Sequence, residues 1–161
     1  MIVVADASPL IFLAKIRKLE LVNALLGQDI RVPRVVCQEI LAGPVDPVEH
    51  EALERFLAHC RVEQVKRPRQ FASAMSAADN AALTLALRCK ADFLLCDERA
   101  TRSMAEIEGV RPLGTLGILL RAALSKLISA KEAKRMVNLL VSTHDFRISV
   151  EVYQAVLDAL D

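Results

Sequence analysis

The chain opens on an unbroken apolar run, Ile2, Val3, Val4 and Ala5, that stops at Asp6. Apolar residues without alternation suit a strand buried on both faces of a parallel sheet. Ala7, Ser8 and Pro9 then punctuate the chain before Leu10, Ile11, Phe12 and Leu13, so a helix is expected with Ser8 as its cap and Pro9 at its first position. Leu19, Leu21, Val22, Leu25 and Leu26 recur at helical spacing and end at Gly27, a sound helix stop. Residues 29–32 alternate as a short second strand. Pro33 opens a further helix, with Val35, Val36, Ile40 and Leu41 as its apolar stripe and Glu39 beside it. A loop at Gly43, Pro44 and Pro47 leads to an amphipathic helix over 48–60, with Leu53, Phe56 and Leu57 inward, and Val62 and Val65 bracket a short strand.

In the second half Ser76 precedes Asp79 by three residues at the head of an apolar helical segment, the spacing of a capping box, and a helix is predicted over 76–89. Residues 91–96 read as a second buried strand, with Phe93, Leu94 and Leu95 continuously apolar, and it too ends in acid, Asp97 followed by Glu98. A helix over 99–108 stops at Gly109, residues 110–113 form a last strand, and helical spacing returns over 115–127, 131–141 and 150–160. Strands alternating with helices, and no linker long enough to divide the chain, predict one α/β domain: a three-layer α/β/α architecture with a central, mainly parallel sheet and extra helices at the carboxyl end.

Composition narrows the function. The chain has 161 residues, of which 53% are hydrophobic, enough to bury a large core without disulfides or metals as staples. Its 21 basic and 20 acidic residues nearly cancel, which excludes a binder that relies on bulk positive charge, so any nucleic-acid contact must be local. Lys66, Arg67 and Arg69 are the densest basic cluster and read either as a solvated loop or as a phosphate-contacting rim. Cys37, Cys60, Cys89 and Cys96 form no C-x-x-C pair and read as buried apolar residues. His50, His59 and His144 suggest no site, and no glycine-rich phosphate loop with its lysine is present. No apolar run approaches the roughly 18 residues of a membrane span, so a cytoplasmic, reducing setting is expected, with no membrane partner.

The chemistry gathers on acids. In an open parallel sheet ligands bind beyond the carboxyl ends of the strands, where Asp6 and Asp97 stand. If their strands are neighbours, both carboxylates enter one region, with Glu39 and Asp79 within reach from adjoining helices. Each of the latter also has a structural reading: Glu39 as a solvated helix-face residue, Asp79 as a helix cap worth about 0.5 to 1 kcal/mol. Clustered carboxylates raise one another's pKa unless a divalent cation holds them ionised, and all-oxygen donors favour Mg²⁺ or Mn²⁺. Such a cation takes phosphate oxygens and activates water, so phosphodiester hydrolysis is the natural reaction.

These residues resemble the PIN-domain ribonucleases. Asp6-Ala7-Ser8-Pro9-Leu10 is similar to the family's opening Asp-x-Ser segment, Val32-Pro33 through Glu39 to its second acidic motif, Ser76 through Leu83 to its third, and Leu95-Cys96-Asp97-Glu98-Arg99 to its fourth. Gly114-Thr115-Leu116-Gly117 with Phe146-Arg147-Ile148-Ser149 is similar to a prokaryotic PIN-like branch with a helical carboxyl-terminal extension. The resemblance implies a nuclease core over 1–115, a helical extension over 116–161, and a Mg²⁺- or Mn²⁺-dependent endoribonuclease acting on single-stranded RNA. Often such a protein is the toxin of a toxin-antitoxin pair, neutralised by a small partner. Asp6, Glu39, Asp79 and Asp97 would be the catalytic and metal-binding acids, and Ser8, Arg99 and Arg102 candidate phosphate contacts. Two departures stand out: Ala78-Asp79 occupies the place where that branch commonly has glutamate after glycine, and Glu98 follows Asp97 immediately. Leu116, Leu119 and Leu120 either cover the sheet or are buried in a homodimer or against an antitoxin. The rival functions are a PIN-like protein-binding module and a receiver-like phosphoacceptor using Asp97 and Glu98.

Overall fold

In β1 (Ile2–Ala5) the residues Val3, Val4 and Ala5 are wholly buried, as a strand covered on both faces requires. The computed structural model describes residues 1–43 and 46–161. After β1 come α1 (Ala7–Lys15), α2 (Glu20–Leu26), β2 (Asp29–Pro33), α3 (Arg34–Ala42), α4 (Pro47–Ala58), β3 (Arg61–Glu63), α5 (Ala77–Arg88) and β4 (Phe93–Leu95). Then follow α6 (Arg99–Ile107), β5 (Pro112–Leu113), α7 (Thr115–Leu124), α8 (Ala130–Thr143) and α9 (Val150–Ala159). The strands form one sheet in the order β3-β2-β1-β4-β5, and every pairing is parallel.

Alternation along each strand sorts the layers. Val3, Ala5, Ile30, Val32 and Leu95 pack with the inner faces of α1 to α4 and α7 to α9, whereas Val4, Leu94 and Cys96 pack with α5 and with Ala105 of α6. This is a three-layer α/β/α fold. The carboxyl-terminal helices contribute Ile118, Leu119, Met136, Val137, Leu140 and Val156 to the same core as α1 to α4. From β1 the chain steps outward to β2 and β3, then crosses through α5 to β4 on the other side of β1. The strand order therefore reverses between β1 and β4, and the crevice at their carboxyl ends is where such sheets bind ligands. Ala5 is in register with Leu95, and the Asp6 N–H donates to Leu95 O at 2.9 Å, so Asp6 and Asp97 both emerge at that crevice.

Local details differ from the sequence expectations. α1 begins two residues earlier than expected: Asp6, not Ser8, is its N-cap, accepting from the Ala7 N–H. A carboxylate caps as well as a hydroxyl does, and Pro9 remains in the first turn, where its missing N–H has no helical partner to lose. Pro33 is the N-cap of α3 rather than its first residue, and only Val36, Cys37 and Ile40 of that helix are buried, leaving Val35 and Leu41 exposed. Of the expected loop, Pro44 lies outside the described residues, and Pro47 is the first residue of α4. β3 ends at Glu63, so Val65 lies beyond it. Leu119 is fully buried against the sheet, which removes it from any partner surface, and Leu116 and Leu120 are half-buried on the same core. The four cysteines are free thiols, buried or half-buried. No helix among the described residues is long and apolar enough to cross a membrane.

Candidate active site

Asp6 is the centre of the site because β1, α1 and, through Asp79, α5 converge on it. β1 delivers it to the sheet edge, its carboxylate caps α1 at 2.8 Å from the Ala7 nitrogen, and only 5% of it is exposed. Burial is the main cause that pushes its pKa from 3.8 up to about 8. The Asp79 carboxyl, within hydrogen-bonding reach, and its negative charge push the same way; the Ala7 N–H opposes them, and Glu39 adds a smaller push. Without a cation, Asp6 therefore keeps its proton well above the ordinary carboxylate range.

Asp79 reaches Asp6 from the first turn of α5, whose start is unusually well determined. Ser76 Oγ accepts from the Asp79 N–H at 3.1 Å, and the Asp79 carboxylate accepts from the Ser76 N–H at 2.9 Å, a complete capping box. The structural and functional readings of Asp79 thus coexist: one carboxylate oxygen closes the box while the group still faces Asp6. Next to it, fully buried Asn80 accepts from the Phe71 N–H and donates to Gln70 Oε1, which holds the preceding loop over the helix start. Nothing in the spacing of the sequence marked Asn80.

Glu39 lies on the exposed side of α3, and its carboxyl is held above the ordinary range by partial desolvation and by the charge of Asp79. Asp97 is placed differently. Its two oxygens accept from the N–H and the hydroxyl of Thr115, each at 2.7 Å, and Thr115 is wholly buried at the start of α7. Burial raises the Asp97 pKa, against the Thr115 hydrogen bonds and the nearby Arg102, and with Glu98 adding to the rise. Arg102 donates to Cys96 O at 3.1 Å. Gly114 makes this packing possible: a Cβ there would lie 2.8 Å from Asp97 Oδ1, 2.9 Å from Arg102 Nη1 and 3.3 Å from Cys96 O. Thr115 and Gly114 were therefore missed as site residues, although a Gly-Thr pair between the last strand and a helix, at the same edge as Asp97, was the signal for them.

The profile of a family described as a PIN domain matches residues 2–161. The chain belongs to the PIN-domain family. Among curated proteins, no significant match is found. PIN domains are generally nucleases and typically use divalent metal ions, so this one has a nuclease fold.

The donors of this PIN domain suit a hard cation. Asp6 and Asp79 offer oxygens only, and their mutual repulsion is the charge that a divalent ion would neutralise. Mg²⁺ commonly takes one or two carboxylates and completes its shell with water and phosphate, which is what this pair can supply. Among the described residues no three His, Cys, Asp or Glu side chains are grouped to hold a metal by themselves, so the four acids are not one preformed cage. Of the candidate phosphate contacts, Ser8 is half-buried in the first turn of α1 beside Asp6, Arg99 is exposed at the start of α6, and Arg102 is half-buried one turn on. The Lys66 to Arg69 cluster lies elsewhere. Arg88, nine residues beyond Asp79 and so about 13 Å along α5, donates to Lys66 O and Arg67 O. The Arg69 guanidinium is held by Glu108 at 3.3 Å and stacks 4.5 Å from the centre of the Phe71 ring.

Proposed function

We propose that this PIN domain is a Mg²⁺- or Mn²⁺-dependent endoribonuclease acting on single-stranded RNA. The observation that carries the reading is the Asp6 and Asp79 pair at the β1/β4 switch point, a buried carboxylate raised to about 8 with no cationic group among the described residues to offset it. A buried pair of acids costs stability, and such costs are characteristic of functional sites. Asp6 and Asp79 would hold the cation, with Glu39 and Asp97 as further acidic residues at its border. When bound, a cation supplies a nucleophile from water at neutral pH and offsets charge on the phosphate. The chain's own groups do the remaining work. Ala7 and Thr115 orient the Asp6 and Asp97 carboxylates, the capping box holds Asp79, and Arg102 keeps positive charge beside Asp97, where a substrate phosphate enters.

On this reading the protein works in the cytoplasm, as the toxin of a pair whose small antitoxin covers the acidic crevice, and it functions as a homodimer. The test is incubation of a pool of short RNAs with Mn²⁺, with and without chelator, for the parent protein and Asp6→Asn. Cleavage by the parent, abolished by chelator and reduced at least about tenfold in the variant, is the expected outcome. Equal cleavage by both proteins refutes the assignment, and inhibition by a co-expressed neighbouring small protein tests the toxin role.

A further inference from the structure

A cleft of about 690 Å³ adjoins Asp97, between the first turns of α6 and α7 on one side and residues 146–156 on the other. Its polar side carries Arg99, Arg102 and Arg147; its apolar side includes Leu116, Ile148 and Val152. Neither Arg99 nor Arg147 has a carboxylate partner among the described residues, whereas Arg31, Arg55 and Arg69 all do. Asp97 and Glu106 also line the cleft, but Asp97 is already satisfied by both donors of Thr115.

We propose that this cleft is a nucleotide subsite for single-stranded RNA: Arg99, Arg102 and Arg147 hold one or more backbone phosphates, and the aliphatic wall receives an unpaired base. The inference rests on the nuclease reading and adds to it where the strand lies. Three observations lead to it. With a net charge of +1, the chain attracts a polyanion only through local cations. In the other basic cluster, Lys66 and Arg67 are tied to Arg88 near the far end of α5, and the Arg69 guanidinium is already held by Glu108. The cleft, by contrast, opens directly at Asp97, on the same sheet edge as Asp6. Its volume lies within the range of small-molecule and cofactor sites, and its mixture of planar guanidinium groups with apolar surface matches a phosphate next to a base. A base in a duplex is stacked and paired and cannot enter, which accounts for a preference for single strands.

The test uses the full chain in chelator, so that binding is read without cleavage. Fluorescence anisotropy of labelled short single-stranded RNA is recorded over a salt series for the parent, Arg99→Ala, Arg147→Ala and Val152→Glu. Each of these positions is exposed, so the fold should survive, and melting temperatures check it. Each arginine variant is expected to weaken binding at least about threefold and to lower the salt slope by about 0.7, the value for one lost single-strand phosphate contact. Val152→Glu should weaken binding by repulsion, and an abasic strand should bind the parent less tightly than one with bases. Unchanged affinity and slope in all three folded variants would overturn the subsite. So would arginine-dependent binding of polyglutamate without binding of RNA, which would make the cleft a docking surface for an acidic protein. The two levels separate in the Mn²⁺ assay. Cleavage with unaltered KM in the variants sinks the subsite and spares the nuclease; arginine-dependent RNA binding without cleavage does the reverse.

Discussion

Replacing Asp6 by asparagine should stabilise the metal-free protein, and by an amount that grows with pH. Asp6 has a pKa of about 8 in the fold against 3.8 as an unperturbed carboxyl. Between those values the folded protein retains a proton that the unfolded chain has released, so stability is greatest below about pH 4 and falls as pH rises to about 8. At about 1.4 kcal/mol per pKa unit the loss amounts to about 6 kcal/mol across that window, comparable with the whole stability of many domains. Asparagine mimics the protonated form. Its oxygen can still accept from the Ala7 N–H, its amide can donate toward Asp79, and it has no proton to lose. The variant and parent should therefore match within about 1 kcal/mol near pH 4. Near pH 8 in chelator the variant should be more stable by about 3 to 5 kcal/mol, a rise of roughly 10 °C in melting temperature for a domain of this size.

The assay is urea unfolding followed by circular dichroism at several pH values in chelator. Glu39 and Asp97, also raised in the fold, leave the variant some decline of the same sign, so the difference between the two proteins isolates Asp6. Mn²⁺ should restore the parent at pH 8 and do much less for the variant, because only the parent presents the charge that the cation neutralises. Parallel pH curves for the two proteins would refute the burial and pairing of Asp6, and with them the physical basis of the site.

Three further outcomes follow from the geometry. Asp79→Asn keeps an acceptor for the Ser76 N–H, so it should alter melting temperature by only a few degrees while lowering Mn²⁺ affinity at least about tenfold; Asp79→Glu, the usual capping-box residue, should retain both properties, and titration beside thermal melts distinguishes them. Gly114→Ala forces a methyl group to 3.3 Å from a backbone carbonyl and closer still to Asp97 and Arg102, and should cost about 1 to 3 kcal/mol with a loss of cleavage; a fully stable, active variant would show that this packing is not tight. Thr115→Val removes one charge-assisted donor from Asp97 at constant volume and should cost about 1.5 to 3 kcal/mol, measured by denaturant unfolding at neutral pH, with a smaller cost where Asp97 is protonated.

The sheet was legible because its strands needed no partner to announce themselves. The apolar runs ending at Asp6 and Asp97 suit doubly covered strands, and once β1 and β4 are neighbours their acids share an edge. Asp79 was legible twice over, since the Ser76 spacing predicts the capping box, and that box is what holds the carboxylate against Asp6. The limits of reading came from interactions whose partners are far apart in the chain. Asp6 as its own helix cap displaced Ser8 because a carboxylate at a strand end meets the free N–H groups of the next helix before a hydroxyl two residues later can. Thr115 lies 18 residues from Asp97, and no local periodicity links a threonine at a helix start to a carboxylate on another strand. This distinction alters the view of the four acids. Asp6 and Asp79 repel each other and have no cationic partner among the described residues, so a cation is what their arrangement calls for; Asp97 is already given two donors and a neighbouring guanidinium, which offset part of the cost of its burial. Both strand-end aspartates share the cost of burial, but Thr115 and Arg102 offset it at Asp97 while Asp79 adds to it at Asp6, so the metal dependence of stability should follow Asp6 much more closely than Asp97.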